Sequence, residues 1–171
     1  MKIGVVSDSH KNLAYLRKAI ELIIEKGAEY IIHLGDDYQD AEILSEYPIK
    51  GLRVPGVFCP EYFDKSVKNR IIEEISAVRI LITHTISSHK NDQKGDLVPE
   101  DVIKNKEVDL VLFGHTHLYE IKKDGDIFMF NPGHLQEIMT KGRSATFGVV
   151  TIADKEITCT VFDLEGNRVD S

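Results

Sequence analysis

Apolar positions along this chain follow two different periods. Residues 3–6, 30–34 and 109–113 are short stretches dominated by Val, Ile and Leu, the pattern of strands buried on both faces. Between the first two, Leu13, Leu16, Ile20, Ile23 and Ile24 recur at three- and four-residue steps and mark one face of a helix. Asn12 stands before that face as a candidate N-cap, and Gly27 follows where a helix would stop. A shorter helical pattern surrounds Ala41 to Leu44, and residues 51–54 read as a third strand. The opening is therefore β-α-β-α-β, which implies parallel strands joined by right-handed crossovers.

After residue 70 the rhythm changes. Residues 70–75 and 78–83 read as two strands across a tight turn, and residues 119–123 and 127–130 flank the hairpin signal Asp124-Gly125. Residues 146–152 and 156–163 pair across Ala153-Asp154-Lys155. One helical pattern, residues 99–106, interrupts these strands, with Pro99 at a first helical position. The second half should be mostly antiparallel, and the whole an α/β fold with a mixed, two-sheet core. Thr85 to Leu97 is polar and aperiodic, so a mobile loop is expected there.

Composition narrows the class of function. The 171 residues suit a single domain, residues 1–171, and 42% hydrophobic with 29% charged residues is ordinary for a soluble globular protein. A net charge of −7 argues against a nucleic-acid backbone or an anionic membrane as the main partner. No apolar run approaches the ~20 residues of a membrane helix, and the N-terminus lacks a signal-peptide pattern. Cys59 and Cys159 form no C-x-x-C pair and read as reduced thiols. A cytoplasmic protein is the expectation.

Four of the expected strands end in residues able to bind metal. These are Asp8-Ser9-His10, Gly35-Asp36-Asp37, His84 and Gly114-His115-Thr116-His117. In extended chain, residues i and i+2 point to one side, so Asp8 with His10, and His115 with His117, would each aim two groups at one place. Ligands of open α/β sheets gather beyond the carboxyl ends of the strands. Each motif alone is commonplace; two acids and four histidines at strand ends together point to a metal centre. Imidazole and carboxylate without thiolate suit manganese, iron, zinc or nickel better than magnesium or calcium. His33, inside a strand, reads as structural. His89 lies in the polar loop, with contact to a substrate or no role as its two readings. His134 approaches the site only if the two sheets pack as supposed.

These residues resemble the calcineurin-like metallophosphoesterases, most closely the small YfcE-like phosphodiesterase branch, which is related to the Vps29 fold. Asp8-Ser9-His10, Gly35-Asp36, His84, Gly114-His115-Thr116-His117 and the turn Asn131-Pro132-Gly133 match that pattern over about residues 3–134, in order and in chain length. The resemblance implies a four-layer α/β/β/α sandwich with two mixed β-sheets. It also implies a phosphodiesterase that uses a dinuclear centre and a metal-activated hydroxide on a small phosphodiester or phosphate-ester substrate. One divalent ion would be held by Asp8, His10, Asp36 and His117, and a second by Asp36, His84 and His115; Mn2+ is favoured, with Ni2+, Zn2+ and Fe2+ as alternatives. Where the family has asparagine for the second ion, this chain has Val57, with Cys59 and Glu61 the nearby replacements, so the second site is expected to be the weaker. The competing expectation is a non-catalytic scaffold of the Vps29 type. No general acid is assigned.

Overall fold

The computed structural model describes residues 1–169. β1 (Lys2–Val6) is built almost wholly of buried residues because it lies mid-sheet and is covered on both faces. It pairs in parallel with β2 (Tyr30–His33), which pairs in parallel with β3 (Lys50–Arg53). The crossover between β1 and β2 is α1 (Leu13–Glu25), capped by the Asn12 side chain accepting the Tyr15 N–H at 3.2 Å. Leu16, Ala19, Ile20 and Ile23 are buried and Ile24 packs at their margin, whereas Leu13, expected on that face, is exposed. Gly4 lets α1 approach closely: the Ile23 side chain fills the space that a Cβ on Gly4 would need. The helical pattern near Ala41 belongs to a 3₁₀ segment, Tyr38–Glu46.

β4 (Arg70–Ile75) and β5 (Val78–Thr83) form the expected hairpin. They are followed by α2 (Pro99–Lys104), β6 (Leu110–Leu112), β7 (Glu120–Asp124), β8 (Ile127–Asn131), β9 (Thr146–Ala153) and β10 (Glu156–Asp163). One five-stranded sheet has the order β10-β9-β1-β2-β3, the other β4-β5-β6-β8-β7. As expected, most pairs after residue 70 are antiparallel (β4 with β5, β7 with β8, β9 with β10 and with β1), but β5 with β6 and β6 with β8 are parallel. The cause is non-local: β7 becomes an exposed edge, and its hairpin partner β8 returns to lie against β6.

Both sheets are mixed, and three cores separate four layers. Ile3, Val5, Ile32, Ile80, Ile82, Leu112, Phe130 and Val150 pack between the sheets. Val6, Ile31 and Phe147 pack under α1, and Leu81, Val111 and Met129 pack with Val102 of α2. β1 shows the strand alternation directly, with Ile3 and Val5 turned inward and Val6 outward. This is the α/β/β/α sandwich. Among the described residues, no helix is long and apolar enough to cross a membrane.

The loop expected to be mobile is instead tied down. Arg70, with its side chain 1% exposed, pairs with Asp92 at 2.9 Å and donates to Leu97 O at 3.0 Å. The Tyr62 hydroxyl donates to Asp92 at 2.6 Å, and Asn69 Nδ2 donates to Asp96 at 2.9 Å. Polar composition misled because the loop's acids are spent on a buried arginine rather than on water. Tyr62 comes from a second 3₁₀ turn, Pro60–Phe63, that no sequence pattern signalled.

Candidate metal centre

The carboxyl ends of β1, β2, β5 and β6 converge at one rim of the sandwich. Short bonds stitch them: Asp8 N donates to Gly35 O at 3.1 Å, and Gly114 N donates to His84 O at 3.0 Å. The chain then turns sharply, so that Asp8, His10, Asp36, His115 and His117 all have φ between 46° and 83°. Extended geometry was therefore the wrong reason for pairing Asp8 with His10 and His115 with His117; left-handed turns aim them. Non-glycine residues in that region are uncommon and cluster at functional sites. Gly114 is required at its turn, because a Cβ there would run into Ser7 and Asp8.

Ligand atoms of Asp8, His10, Asp36 and His117 all lie within 4.8 Å of one another. His10 Nδ1 is 2.6 Å from Asp36 Oδ2, His10 Nε2 is 3.1 Å from His117 Nε2, and His117 Nε2 is 3.2 Å from Asp8 Oδ1. Asp8 is fully buried; its Oδ2 accepts from Ser7 Oγ and from the His115 N–H. Its Oδ1 has no hydrogen-bond partner, the approach of His117 being close but not aligned as one. Burial pushes the Asp8 carboxyl up, yet the imidazoles of His117 and His84 and the Ser7 hydroxyl outweigh it and hold the group ionised below its ordinary range. Asp36 pulls His10 above the usual histidine value against the effect of burial.

His84 and His115 form a ring pair beside this group, centroids 5.1 Å apart. His84 Nδ1 lies 2.8 Å from Leu34 O, which can only accept, so Nδ1 carries a proton and Nε2 is the nitrogen left for a ligand in the neutral tautomer. That Nε2 is buried without a partner. Buried polar atoms are rarely left so, and an orphaned imidazole nitrogen with an orphaned carboxylate oxygen is the donor chemistry a transition-metal ion uses. Burial and His84 lower the His115 pKa, favouring its neutral, ligating form. The residues thus fit a divalent ion at Asp8, His10, Asp36 and His117. For the expected second ion, Asp36, His84 and His115 do not form such a group among the described residues, although His84 and His115 lie side by side next to the first. Val57 is fully buried, Glu61 accepts from Gln39 Nε2 at 3.0 Å, and neither Glu61 nor Cys59 belongs to a metal-binding group.

Three further placements complete the site. His33 is fully buried: Gly35 N donates to its Nδ1 at 3.1 Å, and its Nε2 lies 3.0 Å from Ser9 Oγ. Ser9 donates onward to Asp40 at 2.7 Å, and Lys11 N donates to the same carboxylate. His33 therefore straps the Asp8–His10 turn to the Gly35–Asp36 turn, as a structural residue should. His134 does reach the site, its ring 5.7 Å from that of His117, with Nδ1 accepting from Gln136 N. Asn131 supports the other turn by donating to Gly114 O at 2.9 Å and to Thr116 Oγ1. Sequence reading missed Ser9, Asp40 and Asn131 as supports; only Asn131 carried a signal, through its Asn-Pro-Gly turn.

The chain is similar to the phosphodiesterase MJ0936 of Methanocaldococcus jannaschii, 27% identical over 165 residues that cover 91% of this chain and 96% of that protein. It is equally similar to the phosphodiesterase YfcE of Escherichia coli, 27% identical over 172 residues covering 88% and 87%. Among solved structures, Vps29 of Chaetomium thermophilum superposes with a TM-score of 0.73 at 18% identity, covering 99% of this chain and 94% of that one. That likeness speaks for the fold alone. Residues 1–155 match the calcineurin-like phosphoesterase superfamily domain, and the chain belongs to that superfamily.

Proposed function

We propose that this chain is a metal-dependent phosphoesterase that hydrolyses small phosphodiesters. The observation that carries the reading is the convergence of four donor side chains within 4.8 Å, one of them bearing the orphaned Asp8 Oδ1, beside the orphaned His84 Nε2. Asp8, His10, Asp36 and His117 would hold one divalent ion, and Asp36, His84 and His115 a second, with Mn2+ favoured over Ni2+, Zn2+ or Fe2+. Ions bound there lower the pKa of a coordinated water and neutralise charge on phosphoryl oxygens. The protein's part is to keep Asp8 ionised, His84 in its Nδ1–H tautomer and the turns rigid. Relatives named as phosphodiesterases support diesters over monoesters. The shared inter-sheet core supports reading residues 1–171 as one domain, and a cytoplasmic setting completes the proposal.

The test is hydrolysis of bis(p-nitrophenyl) phosphate by chelator-stripped protein, before and after addition of Mn2+, Ni2+ or Zn2+. Activity restored by an ion supports the reading. Rates no higher than metal-matched, protein-free controls overturn it. A second reading, a scaffold of the Vps29 type, is favoured by one observation: Val57 is apolar and fully buried where the family supplies a ligand. It predicts metal binding without turnover.

A further inference from the structure

Phe58 is 65% exposed, although Val57 beside it is fully buried. Single exposed apolar side chains need no explanation. This one is set apart by its neighbours. The His89 ring meets it edge-on, centroids 5.3 Å apart at 87°, and the His115 ring lies 6.5 Å away at 42°. His115 is a proposed ligand of the second ion, so the Phe58 ring stands at the rim of the centre. The three rings come from three separate segments: the turn after β3, the loop after β5 and the turn after β6.

Those segments are fastened to one another. Asn91 Nδ2 donates to Val57 O at 2.8 Å, which joins the β5 loop to the backbone just before Phe58. His89 N donates to Asp92 Oδ2 at 2.9 Å, and Asp92 is the partner of buried Arg70. His89 Nδ1 accepts from Asn91 N at 3.2 Å, so the proton of the neutral ring is on Nε2, a donor with no protein partner among the described residues. The rim thus offers a solvent-facing aromatic ring with one directed N–H beside it, on backbone already pinned in place. A pre-positioned aromatic face stacks planar rings at little conformational cost, whereas a short alkyl group gains almost nothing from it.

We infer that Phe58 and His89 form a subsite for a planar aromatic or heteroaromatic group carried on the ester oxygen that stays on phosphorus, opposite the leaving group. Phe58 stacks on the ring, and His89 Nε2–H donates to an acceptor on it. The inference rests on the phosphodiesterase reading and narrows its substrate class to diesters whose retained ester group is an aryl group or a nucleoside, as opposed to a short alkyl group.

Binding is measured first, by calorimetry on Mn2+-loaded protein with phenylphosphonate and methylphosphonate, which share one head group. The parent should bind the phenyl compound at least about fivefold more tightly, the scale of one stacked ring. Phe58→Ala should remove most of that preference by weakening phenylphosphonate alone, and Phe58→Tyr should retain it. Equal affinities in the parent, no binding of either compound, or an equal loss for both in Phe58→Ala overturns the inference. Turnover is then compared for three diesters with one leaving group: bis(p-nitrophenyl) phosphate, the p-nitrophenyl ester of thymidine 5′-monophosphate, and methyl p-nitrophenyl phosphate. Phe58→Ala and His89→Ala should raise KM for an aromatic diester at least about fivefold more than for the methyl diester. The more affected aromatic diester tells whether an aryl ester or a nucleobase is the better occupant. A uniform loss across all three means a merely structural role and overturns the inference. If no diester is hydrolysed, the phosphodiesterase reading falls, and phosphonate binding still decides the subsite.

Discussion

His33 should give the protein an acid-sensitive step in stability that one substitution removes. The ring is fully buried, and burial pushes its pKa down from 6.5 to about 4. The unfolded chain therefore binds the proton more readily throughout that window. Stability from this group is complete above pH 6.5 and is lost as pH falls toward 4. At about 1.4 kcal/mol for each pH unit, the whole step is about 3 kcal/mol, of which about 2.5 kcal/mol is gone by pH 4.5. His33→Gln cannot titrate, and it leaves the Gly35 N–H or the Ser9 hydroxyl imperfectly paired, at about 1–3 kcal/mol. The assay is urea unfolding of both proteins in chelator at pH 7.5 and 4.5. His115 and His134 also have lowered pKa values, and that of His10 is raised, so the parent's slope mixes several groups. Subtracting the variant isolates His33. The parent should lead by about 1–3 kcal/mol at pH 7.5, and that lead should vanish or reverse at pH 4.5. A lead that stays constant with pH would refute the reasoning. Because the same ring straps together two ligand-bearing turns, first-ion affinity of the variant should also fall about 10- to 100-fold at pH 7.5.

Asp36→Asn should abolish turnover and lower metal content, because Asp36 touches His10 and is the carboxylate shared by both proposed ions, while Asp37→Asn stays comparatively mild; equal losses in metal analysis and assay would contradict this. Val57→Asn should lower metal-free stability by about 1–3 kcal/mol, since it buries an amide, and should raise second-ion affinity in a Mn2+ titration. Glu61→Ala should leave that titration unchanged, because Glu61 is engaged with Gln39 outside the ligand group. Asp92→Asn leaves the buried Arg70 guanidinium without its nearest counter-charge and should cost about 3 kcal/mol or more in urea unfolding, with faster proteolysis between residues 86 and 97; unchanged melting and cleavage would show that the ion pair does not hold the loop.

Much of the fold was legible because local pattern decides it. α1 follows from Asn12 and the Leu16–Ile20–Ile23 face, and β4 with β5 follows from two apolar runs across a tight turn. The parallel β6–β8 pair was not legible, because register between distant strands leaves no mark in either one. The site was readable as residue types at strand ends, yet the stated geometry was wrong, since left-handed turns and not extended chain aim Asp8, His10, His115 and His117. The supports were hidden. Nothing local to Ser9, His33 or Asp40 announces a buried chain spanning β1, β2 and a 3₁₀ segment. Arg70 likewise looks like an ordinary strand residue until Asp92 and Asp96 fold back onto it.

The most direct measurement is an anomalous difference map at the manganese edge from crystals grown in Mn2+. The account predicts a strong peak bounded by Asp8, His10, Asp36 and His117, and a weaker one bounded by Asp36, His84 and His115. Crystals with manganese bound elsewhere and no peak among Asp8, His10, Asp36 and His117 would contradict it.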